Sequence, residues 1–186
     1  ISAALATGNR QGVRSLMATA LRFTSVLSLP CAAGLALFSA RILSLFFRAE
    51  SAALAAPALS VLAPGVFFSA IVAVTNAILQ ANGRAALTVW SMCTGATLKM
   101  LIGYIMIGNP TFGIYGAAVG TVACYAAAAV MNLAFIGKTF GYLPSFASLF
   151  SKPFASTAAA LLLSLCLGRL LLPILPDKLM TLFLIV

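Results

Sequence analysis

Few residues in this chain can do chemistry, and the most conspicuous is Lys99, set inside the apolar run from Ala86 to Ile107. It lies 13 residues from one end of that run and 8 from the other. An ammonium group in hydrocarbon is costly, so it should face a cavity, an anion or a polar partner. The competing reading is a side chain that snorkels back to the nearer interface over ~12 Å. A second set lies in Leu62 to Arg84, LAPGVFFSAIVAVTNAILQANGR, where Ser69, Asn76 and Gln80 are seven and then four apart. On a helix they share a face. Amides on such a face hydrogen-bond a neighbouring helix or meet a polar ligand. Lys99, Asn76 and Gln80 are therefore the candidate binding residues. Lysine offers a point charge suited to an anion.

Other chemistries are excluded by what the chain lacks. It has no histidine, and its only carboxylates, Glu50 and Asp177, lie on separate loops. No nucleophile and base can pair in the usual ways. No phosphate-binding loop or dinucleotide fingerprint is present. We expect no catalytic residues, no cofactor and no enzyme activity. Cys31, Cys93, Cys124 and Cys166 each sit in an apolar run without metal-ligand spacing, so they read as packing residues, with no metal site.

The elements that carry the candidates must be membrane helices. Of 186 residues, 63% are hydrophobic and 7% charged, where a soluble domain has about 25% charged. The apolar runs are continuous rather than alternating, which disfavours a β-barrel. The fold class is all-α, a multi-pass transmembrane helix bundle. The net charge of +9 is placed at the ends of apolar runs. That placement suits anionic lipid headgroups and the positive-inside bias. No basic run interleaves with aromatics, so no nucleic-acid partner is expected. The chain starts at Ile1 and stops at Val186 within an apolar run, which reads as a piece of a longer protein without a signal peptide.

In chain order, residues 1–22 read as the end of a preceding helix, a cytoplasmic turn at Thr7 to Arg10, and an amphipathic approach lying in the membrane interface. Residues 23–137 read as four spans. The first, Phe23 to Phe47, should kink at Pro30 and Gly34, with Arg41 snorkelling outward. Ser51 is the expected N-cap of the second. From there to Gln80 is ~45 Å of helix against a ~30 Å core, so it must tilt or break, and a break or a kink at Pro57 or Pro64 is favoured. Asn82-Gly83 should end it. In the third, Thr88, Ser91, Gly95, Lys99 and Gly103 share a face, and Trp90 suits an interface belt. In the fourth, Gly116, Gly120 and Cys124, followed by Ala127-Ala128, form a small-residue stripe that admits a close neighbour. Gly120→Leu should therefore be worse than Ala128→Leu, on a looser site. Thr121, Tyr125 and Asn132 form a separate polar row.

Residues 138–186 read as a cytoplasmic connector and further spans, the last cut off. With the N-terminal end cytoplasmic, inner loops hold Arg10, Arg14, Arg22, Arg84, Lys138 and Lys152, and outer loops hold Arg48 and Lys178. That imbalance favours this orientation. Arg41 and Arg169, within spans, read as interface anchors.

Four stretches together resemble stage V sporulation protein B-like transporters of the multidrug/oligosaccharidyl-lipid/polysaccharide exporter superfamily. They are ALRFTSVLSLPCAAGLALFSARILSLFF (Ala20 to Phe47), NAILQANGR (Asn76 to Arg84), LKMLIGYIMIGNPTFGIYGAAVGTVACY (Leu98 to Tyr125) and KPFASTAAA (Lys152 to Ala160). The resemblance implies the later part of the second lobe of a MATE-like flippase, plus extra C-terminal helices. It implies transport of an undecaprenyl-pyrophosphate-linked saccharide, such as a peptidoglycan precursor, across the bacterial cytoplasmic membrane by alternating access. The implied setting is polysaccharide, cell-wall or spore biosynthesis. The implied partners are the lipid-linked saccharide, membrane lipids and the first lobe of the same protein. Two alternatives stay open, an ion-coupled multidrug exporter of that superfamily and a non-transporting membrane scaffold. The exporter normally needs carboxylates inside its spans, and this chain has none there.

Overall fold

The computed structural model describes residues 10–108, 113–141 and 157–159. The expected helix ending at Ala6, the further spans after Lys152, Cys166 and Arg169 lie outside them. Five helices follow in order: α1 (Arg10–Leu37), α2 (Ser39–Phe46), α3 (Ala49–Ala81), α4 (Ala85–Ile107) and α5 (Ile114–Phe140). Among the described residues, α1, α3, α4 and α5 are long and apolar enough to cross a membrane. The multi-pass helical class is confirmed.

The side chains are distributed as lipid requires. α4 buries only Thr88, Ser91 and Gly95 and exposes Trp90, Met100, Leu101, Tyr104 and Ile105. In water that pattern would be inside out. In a bilayer the tails are as apolar as leucine, so helices associate through close backbone approach and hydrogen bonds instead.

Four boundary expectations change. The amphipathic stretch is not a separate interfacial piece, because α1 runs unbroken from Arg10 through Pro30. Its buried stripe, Val13, Met17 and Leu21, packs in the core against residues of α3 and α5. The helix is interrupted at Phe38 (φ −101°, ψ 12°), while Pro30 lies within α1. Phe38 N–H still donates to the Gly34 carbonyl and Ile42 N–H to that of Phe38, both at 2.9 Å, so these two bonds flank the bend. α3 has 33 residues and no break at Pro57 or Pro64, giving about 50 Å of continuous helix. Membrane helices accept proline where neighbours and hydroxyls satisfy the freed backbone; the carbonyls freed here are those of Ala53 and Ser60, four residues before each proline. Tilt, or a kink within the continuous helix, must absorb the excess length. The N-cap of α3 is Arg48, not Ser51, because the backbone is extended there (ψ 149°) and already helical at Ala49.

The α3–α4 turn forms as expected. Gly83 takes φ +71°. Arg84 N–H reaches the Leu79 carbonyl at 3.0 Å, and Gly83 N–H that of Gln80 at 2.9 Å. This pair of bonds closes a helix around a left-handed residue, which glycine adopts without a Cβ penalty.

α5 is the hub, with α4 along one side and α3 along the other, while α1 and α2 pack on α3. At one end Val13, Met17, Ile78, Leu79 and Ile136 form a buried cluster with Leu87 and Phe140 against it. There Arg14 Nη2 donates to the Phe140 carbonyl at 3.1 Å, placing a cation on the negative end of α5. Arg14, Arg84 and Lys138 thus gather at one end of the bundle, which suits a cytoplasmic end. We expect cysteine introduced at Gly83, in a cysteine-free background, to resist a membrane-impermeant thiol reagent in intact cells. Cysteine at Ser51 should label. The reverse pattern would invert the orientation.

Candidate functional site

The seam between α4 and α5 positions Lys99. The small-residue stripe of α5 lies against α4 as expected. A Cβ on Gly95 would stand 2.8 Å from the Cys124 carbonyl oxygen, and one on Gly116 would stand 2.7 Å from Met106 Cβ. A Cβ on Gly120 would stand 3.2 Å from the carbonyl oxygen of Lys99 and 3.7 Å from its Cγ. The two backbones therefore touch beside Lys99, and its stem starts from a fixed point. Its side chain is exposed, and among the described residues it has no hydrogen-bonding or ionic partner.

The stripe does not extend as a loose edge to Ala128. That residue is fully buried, in a cluster with Leu21, Phe67, Ile71 and Ala129. Ala128→Leu is therefore not a tolerant comparison, and Ala134, which is exposed, is the better one.

The seam between α3 and α5 holds the amides. Asn132 Nδ2 donates to Asn76 Oδ1 at 2.6 Å and to Thr75 Oγ1 at 3.0 Å. Thr75 in turn donates to the Ile71 carbonyl at 2.8 Å. Asn132 and Thr75 are fully buried, while Asn76 is half-buried and Gln80 exposed. Asn76 thus makes the helix–helix contact that was one of its two sequence readings, and its amide nitrogen remains for another partner. Asn132 Oδ1, Thr88 Oγ1 and Thr139 Oγ1 are buried without a partner.

Helical geometry relates the two seams. α5 presents Gly116, Gly120 and Cys124 to α4, and Val122 and Asn132 to α3. At 100° per residue the flank between these faces carries Thr121 and Tyr125, with Asn132 at its α3 edge. Asn76 and Gln80 of α3 adjoin that flank. Antiparallel α4 turns Lys99 about 40° from its α5-facing row toward the same flank. Lys99 and Asn76 are nevertheless not neighbours. Asn76 is five residues from the end of α3, and Lys99 is fourteen from the start of α4. These are depths of roughly 8 and 21 Å from the turn that joins them. Three donors are brought to one side at graded depth, with Gln80 shallowest.

Two contributors went unrecognised in the sequence, Thr75 and the partnership of Asn132. Asn132 was visible only as part of a polar row, and Thr75 looks like any helix threonine. The adjacency Thr75-Asn76 was the available signal, since two neighbouring polar residues in an apolar run can both reach one partner.

Among the described residues no three His, Cys, Asp or Glu side chains gather as a metal site would need, and Cys31, Cys93 and Cys124 are free thiols. The family model described as Lipid II flippase MurJ matches residues 1–185. No curated protein and no solved structure matches the chain.

Proposed function

From the premise that the chain belongs to the lipid II flippase MurJ family, we propose that it forms the later part of the second lobe of a bacterial cytoplasmic-membrane flippase. The substrate is an undecaprenyl-pyrophosphate-linked saccharide serving as a peptidoglycan precursor, and it crosses by alternating access. The match across residues 1–185 carries this reading. The geometry supports it through the graded donors. Gln80 and Asn76 meet the anionic headgroup near the inner end, and Lys99 holds it past the middle of α4. Within the described spans the only carboxylate is Glu50, exposed in the first turn of α3. A path that offers cations and amides but no anion suits a pyrophosphate. It does not suit a cationic drug, which would look for a carboxylate in the membrane. The narrower sporulation-type role rests on the quoted motifs alone.

The test uses the full-length protein in proteoliposomes. A labelled undecaprenyl-pyrophosphate saccharide should move between leaflets, and cationic dyes should not accumulate. Dye transport with a static lipid would favour the drug exporter. Movement of neither would favour the scaffold.

A further inference from the structure

The hydroxyl of Thr75 sets the polarity of the whole amide chain. It has one proton, and that proton is donated to backbone carbonyls, Ile71 at 2.8 Å and Val72 at 3.1 Å. Its oxygen can then only accept from Asn132, so the Asn132 atom 3.0 Å away must be the donor, Nδ2. The same Nδ2 lies 2.6 Å from Asn76, which must therefore turn its acceptor, Oδ1, inward. Reversing either amide would set two donors or two acceptors face to face. Asn76 is left with Nδ2, which has no partner among the described residues and is not among the buried unpaired atoms. It therefore reaches the surface of the bundle as a donor only.

The arrangement is expensive for cohesion alone. Asn132 Oδ1 is buried with no partner, and leaving such an acceptor unpaired forfeits the stability that a complete amide pair would supply. We infer that Asn132 is a positioning residue, and that it makes Asn76 a donor-only contact for the phosphate oxygens of the transported lipid. This rests on the flippase reading and adds a source of selectivity to it, because the presented amide edge rejects a donor and accepts an anion.

Binding to purified full-length protein tests the inference with three probes, undecaprenyl pyrophosphate, undecaprenol and phosphatidylglycerol. Asn76→Ala and Asn132→Leu should each weaken undecaprenyl pyrophosphate about tenfold, near 1.4 kcal/mol, and leave undecaprenol unchanged. The double variant should be no weaker than either single one, because both remove one interaction. A merely structural Asn132 would lower binding of all three probes alike, and that result overturns the inference. So would wild-type affinity in Asn132→Leu, or an equal loss toward phosphatidylglycerol, which would assign the donor to bulk lipid. If Asn132→Leu does not fold, Thr75→Val keeps the shape and removes the polarity-setting hydroxyl. It should weaken undecaprenyl pyrophosphate selectively, and wild-type affinity there overturns the inference. Absence of undecaprenyl pyrophosphate binding by the wild-type protein would instead overturn the flippase reading itself, and this inference with it.

Discussion

Gly95→Leu should leave almost no folded full-length protein, and Gly95→Ala should already reduce the folded yield. A Cβ at this position meets the Cys124 carbonyl oxygen at 2.8 Å and its Sγ at 3.1 Å. The oxygen belongs to the backbone of α5 and cannot rotate aside. α4 must move, and it has few other contacts to hold it, since its large side chains face lipid. Overpacking of this kind costs about 1–3 kcal/mol for small additions, and leucine adds three more carbons. Gly116→Ala should behave similarly, with Met106 Cβ at 2.7 Å and the Ile107 backbone nitrogen at 3.1 Å. Gly120→Leu should also fail, while Gly120→Ala should be milder, because the nearest atom there is 3.2 Å away. Gly34→Ala is the contrasting substitution. Nothing lies within 4 Å of its added Cβ, and alanine favours the helix by about 1 kcal/mol. The measurement is monodisperse yield on size-exclusion chromatography in mild detergent. Wild-type yield from Gly95→Leu would mean that α4 and α5 are not in contact.

How legible these features were depends on the reach of the interaction. The spans were legible because lipid imposes length and apolarity on every residue of a helix. The stripe was legible because glycine at four-residue spacing has little other use in a span. The bend at Phe38 was not, because proline is a local signal and the helix continues through Pro30, where α1 packs on α3. The unbroken α3 escaped for the same reason. At the site, Lys99 announced itself by charge alone. The amide chain did not, because Thr75, Asn76 and Asn132 are 56 and 57 residues apart across their bonds, and nothing in one sequence pairs them. Gln80, read with Asn76 from their shared face, proves exposed while Asn76 is tied down. Periodicity places two residues on a face, but only the neighbouring helix decides how deep each one sits.

Lys99→Met should fold as well as wild type and flip the lipid-linked substrate about ten- to a hundredfold more slowly. Methionine keeps an unbranched stem beside Gly120, where Lys99 Cγ lies 3.7 Å from the position of an added Cβ. The close seam is therefore preserved. The change also removes an ammonium that costs some 2.5–3.5 kcal/mol near mid-membrane, so stability should not fall. What is lost is a charge with no partner among the described residues, on an exposed position near the middle of a span. A hydrogen bond to a charged group contributes about 1.5–3 kcal/mol, and each 1.36 kcal/mol is tenfold in rate, which sets the expected range. Lys99→Arg should retain part of the activity, because the charge persists while the planar fork matches a phosphate differently and releases it less readily. Proteoliposome flipping of a labelled undecaprenyl-pyrophosphate saccharide reads both variants. Wild-type flipping by Lys99→Met, at wild-type yield, would show that the ammonium only snorkels to the outer interface and takes no part in carrying the headgroup.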